Sequence, residues 1–212
     1  MIAIVDYGVG NLFSLVSSFR AIGADITVAK SAEELNCADK IVLPGVGAFE
    51  DAARLLRESG LDDALRREAA AGKPLMGVCL GMQLLLDKSF EYGKHEGLGL
   101  IPGEVRPIEG YIQSDLKIPH IGWNGLAFPA EKHPLFAEVK EGDCVYFVHS
   151  YAAFACDHVI ATASYGKDLC AAVAKDNVMG CQFHPEKSGG VGLKILKAFC
   201  EWGERNEIIS CH

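Results

Sequence analysis

Several classes of protein are excluded by what this sequence lacks. Its 212 residues contain no apolar run that approaches membrane-spanning length. Residues 1–10 carry no basic segment of the kind that opens a secretory signal peptide. Lys and Arg form no cluster, and the formal net charge is −8, which disfavours nucleic-acid binding. We therefore expect a protein that neither spans a membrane nor binds nucleic acid.

The eight cysteines do not form a metal-binding or disulfide-rich pattern. They include no C-x-x-C pair, and no paired ligands recur at the spacing of a zinc site. Most of them lie in apolar segments, where cysteine behaves as a small hydrophobic residue. We expect reduced thiols, a cytoplasmic location, no metal and no cofactor.

The residues that are present favour a compact α/β fold. Half of them are apolar and the mean hydropathy is +0.16, so the chain can bury a substantial core. Short apolar segments alternate with helix-forming segments, a pattern typical of βαβ units and a parallel sheet. The predicted strands are 2–5, 25–29, 40–43, 74–78, 146–149, 158–163, 169–174 and 178–183. The predicted helices are 12–22 (with Asn11 as N-cap), 49–60, 61–71, 80–86 and 189–202.

Residues 89–135 differ from the rest of the chain. They are rich in glycine and proline and show no long helical pattern, so we predict hairpins and loops inserted at one side of the sheet. No linker divides the chain. We therefore expect residues 1–203 to form a single domain and residues 204–212 to form a loose tail.

The most informative segment is Gly77-Val78-Cys79-Leu80-Gly81. An apolar strand leads into it and a helix-forming stretch leads out of it, which is the pattern of a nucleophile elbow with sulfur in place of the serine oxygen. Small residues on both sides allow the strand and the helix to approach closely. A cysteine at the start of a helix is favoured as a thiolate. The alternative is a buried structural cysteine in a glycine-rich turn.

A cysteine nucleophile needs a base and an orienting partner for that base. His184 and Glu186 follow a predicted strand near the end of the chain. In an extended backbone their side chains point to the same side, so the carboxylate can orient the imidazole. A lone histidine is more often a surface or core residue. Its place at the carboxyl end of a strand favours a functional role, because open α/β sheets bind ligands there.

The elbow, the histidine and the glutamate together resemble the class I (triad) glutamine amidotransferases. That family keeps this order of Cys, His and Glu, and Gln83 stands where it keeps a glutamine. Four further segments are similar to the glutaminase subunits of imidazole glycerol phosphate synthases within that family: DYGVGNL (6–12), LPGVGAF (43–49), PHIGWN (119–124) and YFVHSY (146–151). The resemblance spans residues 2 to about 202. It implies a flavodoxin-like fold with a mainly parallel central sheet and helices on both faces.

The resemblance also implies a reaction, which is hydrolysis of the side-chain amide of L-glutamine. Cys79 would be the nucleophile, His184 the base and Glu186 its orienting partner, with backbone N–H groups of Leu80 and Val46 as oxyanion donors. The implied glutamine-binding residues are Gly47, Gln83, Glu91, Ser150 and Tyr151. The ammonia would pass to a (β/α)8-barrel cyclase subunit, the partner in a heterodimer of histidine biosynthesis. The implied partner contacts are Asn11, Trp123, Tyr146, His149 and Lys187.

Three other functions remain open on the sequence. Another triad amidotransferase, serving a nucleotide, pyridoxal or aromatic pathway, is disfavoured by segments 6–8 and 122–124. A cysteine hydrolase or stress protein of the same flavodoxin-like fold often has an acidic residue beside its nucleophile, whereas Val78 and Leu80 flank Cys79. A non-catalytic binding subunit is disfavoured because the Cys, His and Glu are all present.

Three of the motifs also have structural alternatives. Gly8-Val9-Gly10 is similar to a dinucleotide fingerprint, but Phe13 stands where the third glycine belongs, so a tight turn is favoured. Gln83 lies one helical turn after Cys79 and can instead cap or pack. Trp123 can fill the core of the insertion instead of contacting a partner.

Overall fold

The computed structural model describes residues 1–113 and 115–203. The predicted tail, residues 204–212, lies outside the described residues. Strands and helices alternate through the first part of the chain as predicted, in the order β1 Ile2–Val5, α1 Leu12–Ala21, β2 Ile26–Ala29, α2 Ala32–Asn36, β3 Lys40–Leu43, α3 Phe49–Glu58, α4 Leu61–Ala70 and β4 Leu75–Val78.

Helix α2 is the one element of this first part that the sequence analysis missed. Its N-terminus is a capping box, in which the Ser31 hydroxyl accepts a hydrogen bond from Glu34 N at 3.3 Å and the Glu34 carboxylate accepts one from Ser31 N at 3.2 Å. The Ser-x-x-Glu spacing is a recognised start signal for a helix. The sequence therefore contained the information for this helix.

The second part of the chain is richer in strands than predicted. Its elements are α5 Leu80–Leu84, β5 Leu86–Ser89, β6 His95–Glu96, β7 Ile101–Pro107, β8 His120–Ala127, β9 Cys144–His149, β10 Tyr151–Phe154, β11 Val159–Ser164, β12 Asp168–Lys175, β13 Val178–Cys181 and α6 Gly189–Cys200. Two short 3-10 turns, Pro134–Phe136 and Pro185–Lys187, complete the description.

The central sheet has nine strands in the order β2-β1-β3-β4-β13-β12-β11-β8-β9. Its first five strands are parallel, as the flavodoxin-like prediction requires. The remaining strands pair in antiparallel fashion. Only two residues separate β12 from β13, and a connection this short cannot form the crossover that parallel strands need. The mainly parallel description therefore holds for one half of the sheet.

The segment 89–135 lacks a long helix, as predicted, but its strands do not form one insertion beside the sheet. Strand β8 joins the central sheet, because its last residues pair with β11 (Leu126↔Ala163 and Ala127↔Thr162) and its first six pair with β9, from His120↔His149 to Gly125↔Cys144. Strands β5, β6 and β7 form a second, four-stranded sheet together with β10. This second sheet begins at Leu86, before the predicted boundary, and recruits β10 from beyond it.

Both faces of the parallel half are covered by helices. Alternate residues of β1 point to opposite sides, so Ala3 and Val5 belong to one hydrophobic cluster and Ile2 and Ile4 to the other. The first cluster packs beneath α2, α3 and α4, and the second beneath α1 and α6. Within the described ranges, no helix combines the length and apolar character that a membrane span requires. The carboxyl ends of β3, β4 and β13 meet at one edge of the sheet.

Candidate active site

The nucleophile elbow lies between β4 and α5. Cys79 has φ 56° and ψ −112°, a strained conformation for a residue with a side chain. A Cβ on Gly77 would lie 2.6 Å from Gly81 O, and a Cβ on Gly81 would lie 1.9 Å from Leu43 O. Only glycine fits at both positions. The strand, the turn and the neighbouring β3 therefore fix Cys79 at the edge where the parallel strands end.

His184 and Glu186 are in contact, but not for the reason that the sequence suggested. His184 Nδ1 lies 2.8 Å from Glu186 Oε1, and both side chains are almost fully buried. The backbone here is not an extended strand, because β13 ends at Cys181 and Pro185–Lys187 form a 3-10 turn. The turn folds Glu186 back beneath the imidazole. The expectation of extended backbone was therefore wrong, although it paired the correct residues.

His184 is held in place and carries a shifted pKa. Its backbone N–H donates to Tyr146 O at 2.9 Å, and its carbonyl accepts from the Ser188 hydroxyl at 2.6 Å. Burial acts to lower the pKa of His184, but hydrogen bonds to Cys79 and Glu186 outweigh it and raise that pKa to about 9. The charged imidazolium is therefore favoured at neutral pH.

A cavity of about 540 Å³ opens above the elbow. It is lined by Cys79 and His184 and by the two expected oxyanion residues, Val46 and Leu80. All five expected glutamine-binding residues line it as well: Gly47, Gln83, Glu91, Ser150 and Tyr151. Glu186 stands behind His184 and does not line the cavity. The lining residues that the sequence analysis missed are Tyr92, Pro107, Glu109, Ile118 and Val148.

Gln83 is a fixed part of the cavity wall. Its Nε2 donates to Tyr151 O at 3.0 Å and to Gln182 Oε1 at 2.9 Å. Gln182 is fully buried, and its own Nε2 lies 4.0 Å from Cys79 Sγ. Sequence reasoning missed Gln182. Its signal was an amide side chain at the end of an apolar strand, next to the catalytic candidate His184. The two amides link α5, β13 and β10 across the base of the cavity.

The second sheet brings an acidic and aromatic segment to the cavity. Glu91 Oε2 accepts a hydrogen bond from Phe49 N at 2.6 Å, at the start of α3. Tyr92 beside it has φ 51° and an 88% exposed side chain, which meets Tyr151 edge to face with ring centroids 6.4 Å apart. Tyr92 follows the predicted Glu91 directly in sequence, but no motif marked it.

Residues 44–48, here named the oxyanion loop, connect β3 to α3 opposite the elbow. A Cβ on Gly45 would lie 2.7 Å from Gly81 N, so this glycine allows the loop to touch the elbow. Val46 is 41% exposed and lines the cavity, and Gly47 has φ 93°. The N–H groups of Val46 and Leu80 make no hydrogen bond to any residue in 1–113 or 115–203. Free donors of this kind are what an oxyanion hole requires.

Three of the five expected partner contacts form one exposed patch. Trp123 is 55% exposed and meets Tyr146, its neighbour across the β8–β9 pair, at a centroid distance of 5.9 Å. Lys187 Nζ lies 6.0 Å from the centroid of the Tyr146 ring. Trp123 does not fill an insertion core. Asn11 is half-buried and caps α1 by accepting from Ser14 N at 3.4 Å.

His149, the fifth expected contact, lies in the cavity wall and not on the exposed patch. Its Nδ1 donates to Tyr151 O at 2.9 Å, and its Nε2 faces His120 Nδ1 at 3.1 Å. Burial lowers the pKa of His149 to about 4, and the nearby His120 and His184 add to the effect. His149 is therefore an uncharged buried group, and its expected place at the partner interface stays a prediction.

Comparisons with known proteins agree with this geometry. The sequence pattern of the family "Glutamine amidotransferase class-I" matches residues 3–201. The chain is 48% identical over 205 residues to "Imidazole glycerol phosphate synthase subunit HisH" of Geobacter sulfurreducens, covering 94% of this chain and 98% of that protein. It is 46% identical to the subunit of the same name from Lactococcus lactis, covering 94% and 98%. It is 45% identical to that from Wolinella succinogenes, covering 96% and 100%.

Solved structures support the fold independently of sequence. A structure described as "Crystal structure of glutamine amidotransferase" has a TM-score of 0.74 at 20% identity and covers 95% of this chain and 98% of its own. "Structure of PurLQS from Thermotoga maritima" also has a TM-score of 0.74 at 20% identity, with 95% and 97% covered. At this identity the likeness concerns the fold alone. By sequence and fold, the chain belongs to the class I glutamine amidotransferase family, among the HisH subunits of imidazole glycerol phosphate synthase.

Proposed function

We propose that residues 1–203 form a single glutaminase domain that releases ammonia from L-glutamine and passes it to a (β/α)8-barrel cyclase subunit. The cyclase would use that ammonia to make imidazole glycerol phosphate and aminoimidazole carboxamide ribotide in histidine biosynthesis. The observation that carries the proposal is the cavity that Cys79 and His184 line together with Val46 and Leu80, the two expected oxyanion residues. The names of the relatives supply the pathway.

In the first half of the reaction, the Cys79 thiolate attacks the carboxamide carbon of glutamine. The carbonyl oxygen becomes an oxyanion between the N–H groups of Leu80 and Val46, and each such donor contributes about 3–4 kcal/mol. The His184 imidazolium gives its proton to the amide nitrogen, the C–N bond breaks and ammonia leaves. A thioester on Cys79 remains. The raised pKa of His184 keeps that proton available at neutral pH.

In the second half, the now neutral His184 removes a proton from water, which attacks the thioester carbon. The C–S bond breaks, glutamate leaves, and the thiolate and imidazolium are restored. Glu186 holds the imidazole through Nδ1, so that Nε2 is the atom that exchanges protons with the substrate and water. No redox step or bound cofactor enters this sequence.

The other residues of the cavity would bind the amino-acid end of glutamine. Glu91 is the proposed partner of the α-ammonium group, and Ser150, Tyr151 and Gly47 line the same space. Among the described residues that line the cavity, none is Lys or Arg. The α-carboxylate would therefore be bound by neutral donors such as backbone N–H groups and hydroxyls.

The exposed patch of Trp123, Tyr146 and Lys187 is the proposed contact with the cyclase. Free ammonia is protonated in water at neutral pH, so direct transfer requires a contact close to the site of release. The turn of Pro185–Lys187 runs from His184 to this patch. We also propose a cytoplasmic location, which suits the free thiols of Cys37, Cys79, Cys144, Cys156, Cys170 and Cys181.

The test is glutamine turnover by the chain alone, with the barrel subunit, and with barrel plus a substrate analogue. We expect the isolated chain to be nearly inactive, because glycines on either side of Val46 let that peptide hold its N–H away from the oxyanion. Synthase assays with acceptors of nucleotide and pyridoxal pathways serve as controls for the alternative amidotransferases. Ammonia transfer to one of those acceptors would refute the proposed pathway, and equal turnover in all three states would refute the switch.

A further inference from the structure

The oxyanion loop is held at its two ends by side chains from elsewhere in the chain. At one end the Tyr7 hydroxyl donates to Pro44 O at 2.8 Å, and at the other Glu91 accepts from Phe49 N at 2.6 Å. We infer that Tyr7 and Glu91 are positioning residues, which set the orientation of the Val46 peptide during glutamine hydrolysis. The inference deepens the proposed function and rests on it.

The Tyr7 end of the loop is tightly packed. Tyr7 is 5% exposed, and its hydroxyl would lie 3.0 Å from a Cβ on Gly45, inside the loop. Gly10 has φ 125°, and a Cβ there would lie 3.0 Å from Pro44 Cβ. The glycine turn of residues 8–10 thus packs against Pro44. Burial raises the pKa of Tyr7, and the proximity of Cys79 adds to this, so the phenol remains a proton donor at working pH.

The Glu91 end of the loop is a helix N-terminus capped from a distance. Ala48 occupies the N-cap position of α3 and has no side chain that can cap it. Glu91, carried by the connection between β5 and β6, supplies the missing acceptor to Phe49 N–H. A carboxylate at a helix N-terminus is also favoured by the helix dipole. The contact ties the end of the loop to the second sheet.

The peptides at the centre of the oxyanion loop, around Val46, are less constrained than its two ends. Val46 is partly exposed, and a Cβ on Gly47 would meet no atom within 4 Å. With both ends held, the remaining motion is rotation of the peptides around Val46. Loss of either anchor would widen the set of orientations and reduce the fraction with the Val46 N–H directed at the oxyanion. Loss of an anchor should therefore lower kcat, because the Val46 N–H would stabilise the transition state.

The first experiment compares Tyr7→Phe with Tyr165→Phe in the reconstituted synthase. Tyr165 OH also donates to a backbone carbonyl at 2.8 Å, that of Lys117, so both variants lose the same kind of bond. We expect Tyr7→Phe to lower glutamine-dependent kcat about tenfold or more, with KM changed less than about twofold. Tyr165→Phe should keep wild-type turnover. Ammonium-dependent synthesis and iodoacetamide labelling of Cys79 should be unchanged in both variants.

The second experiment tests the other anchor and does not depend on a buried substitution. Glu91→Gln keeps a carbonyl that can accept from Phe49 N–H, whereas Glu91→Ala removes it. Both variants lose the charge that faces the α-ammonium group, so both should raise KM. Only Glu91→Ala should also lower kcat, by about tenfold.

The inference is overturned if Tyr7→Phe turns over glutamine as fast as Tyr165→Phe, or if the two Glu91 variants have equal kcat. It is also overturned if the loss in Tyr7→Phe extends to ammonium-dependent synthesis, since that would indicate a structural defect. Failure of the proposed function has a different signature, which is glutaminase activity that survives Cys79→Ala. Urea unfolding of each variant establishes that it is folded under the assay conditions.

Discussion

The two walls of the cavity are built differently. The nucleophile wall, Val46, Cys79, Leu80 and His184, stands on the carboxyl ends of parallel strands that pair in register: Leu43↔Gly77 between β3 and β4, and Val78↔Cys181 between β4 and β13. Each of these residues lies within three positions of a strand end. The edge of the sheet therefore positions the groups that we propose take part in the reaction.

The recognition wall, by contrast, comes from loops and from the second sheet. It consists of Tyr151, the first residue of β10, and of four residues on the connections around β5, β7 and β10, which are Glu91, Tyr92, Glu109 and Ser150. Tyr92 is 88% exposed, whereas Cys79 and His184 are buried. The groups proposed for the chemistry and those proposed for glutamine recognition are therefore held by different parts of the fold. Substitutions in the nucleophile wall should act on kcat and those in the recognition wall on KM, with Glu91 acting on both because it also holds the end of the oxyanion loop.

The largest expected effect is that of Cys79→Ala. Without the thiol there is no acyl-enzyme, so glutamine hydrolysis should fall by at least about 10³-fold. Synthesis from added ammonium salt should continue in the complex, because the thiol serves only to release ammonia. Product formation is followed with glutamine and with ammonium in parallel. Glutaminase activity above a few per cent of wild type would refute the assignment of Cys79 as the nucleophile.

The next largest effect separates the two residues behind the sulfur. His184→Ala should lower kcat by about 10²–10⁴-fold, the usual contribution of a general acid–base group. Glu186→Ala should cost less, because Glu186 orients the imidazole and transfers no proton to the substrate. Steady-state kinetics on both variants test the order. A Glu186 variant that is slower than the His184 variant would contradict the assignment of roles.

A third prediction concerns His149, which lines the same cavity and donates a hydrogen bond to Tyr151 O in the recognition wall. Its pKa is about 4 in the folded protein and about 6.5 when unfolded, so between these values the unfolded state binds more protons. Stability should be fully present above pH 6.5 and fall as the pH drops towards 4, by up to about 3 kcal/mol. His149→Asn should flatten this acid slope in urea unfolding experiments. Identical slopes in the two proteins would show that His149 titrates normally.

His184 should affect the pH dependence of stability in the opposite direction to His149. Its pKa is raised to about 9, so its stabilising contribution is present below pH 6.5 and is lost as the pH rises through 9. The two histidines therefore act at opposite ends of the pH range. His184→Ala should alter the alkaline side of the stability profile and leave the acid slope in place.

The smallest expected effect is that of Glu109→Gln on the recognition wall. Glu109 is exposed at the cavity rim, where water and salt screen its charge. We expect KM for glutamine to rise by about twofold at low ionic strength and kcat to stay unchanged. Added salt should erase the difference. A larger or salt-independent change would place Glu109 in direct contact with the substrate.

Local sequence patterns were enough for much of the parallel half and of the nucleophile wall. The strands Ile2–Val5 and Lys40–Leu43 were predicted to the residue, since both are short apolar runs between turns. The glycines around Cys79 marked the elbow for an equally local reason, because a Cβ at Gly77 or Gly81 would overlap nearby backbone. Such constraints act within a few residues and are written in the spacing of the sequence.

Only the tertiary structure decided which distant segments meet. Strand β8 joined the central sheet and β10 the second sheet, against the predicted insertion, because strand pairing depends on partners far along the chain. Gln83 is hydrogen-bonded to Gln182, 99 positions away in sequence, and Tyr7 to Pro44, 37 positions away. His149 contacts His120, 29 positions earlier in the chain. Sequence periodicity indicates which face of a helix or strand a side chain lies on. Which residue of another element contacts that side chain is decided by tertiary packing.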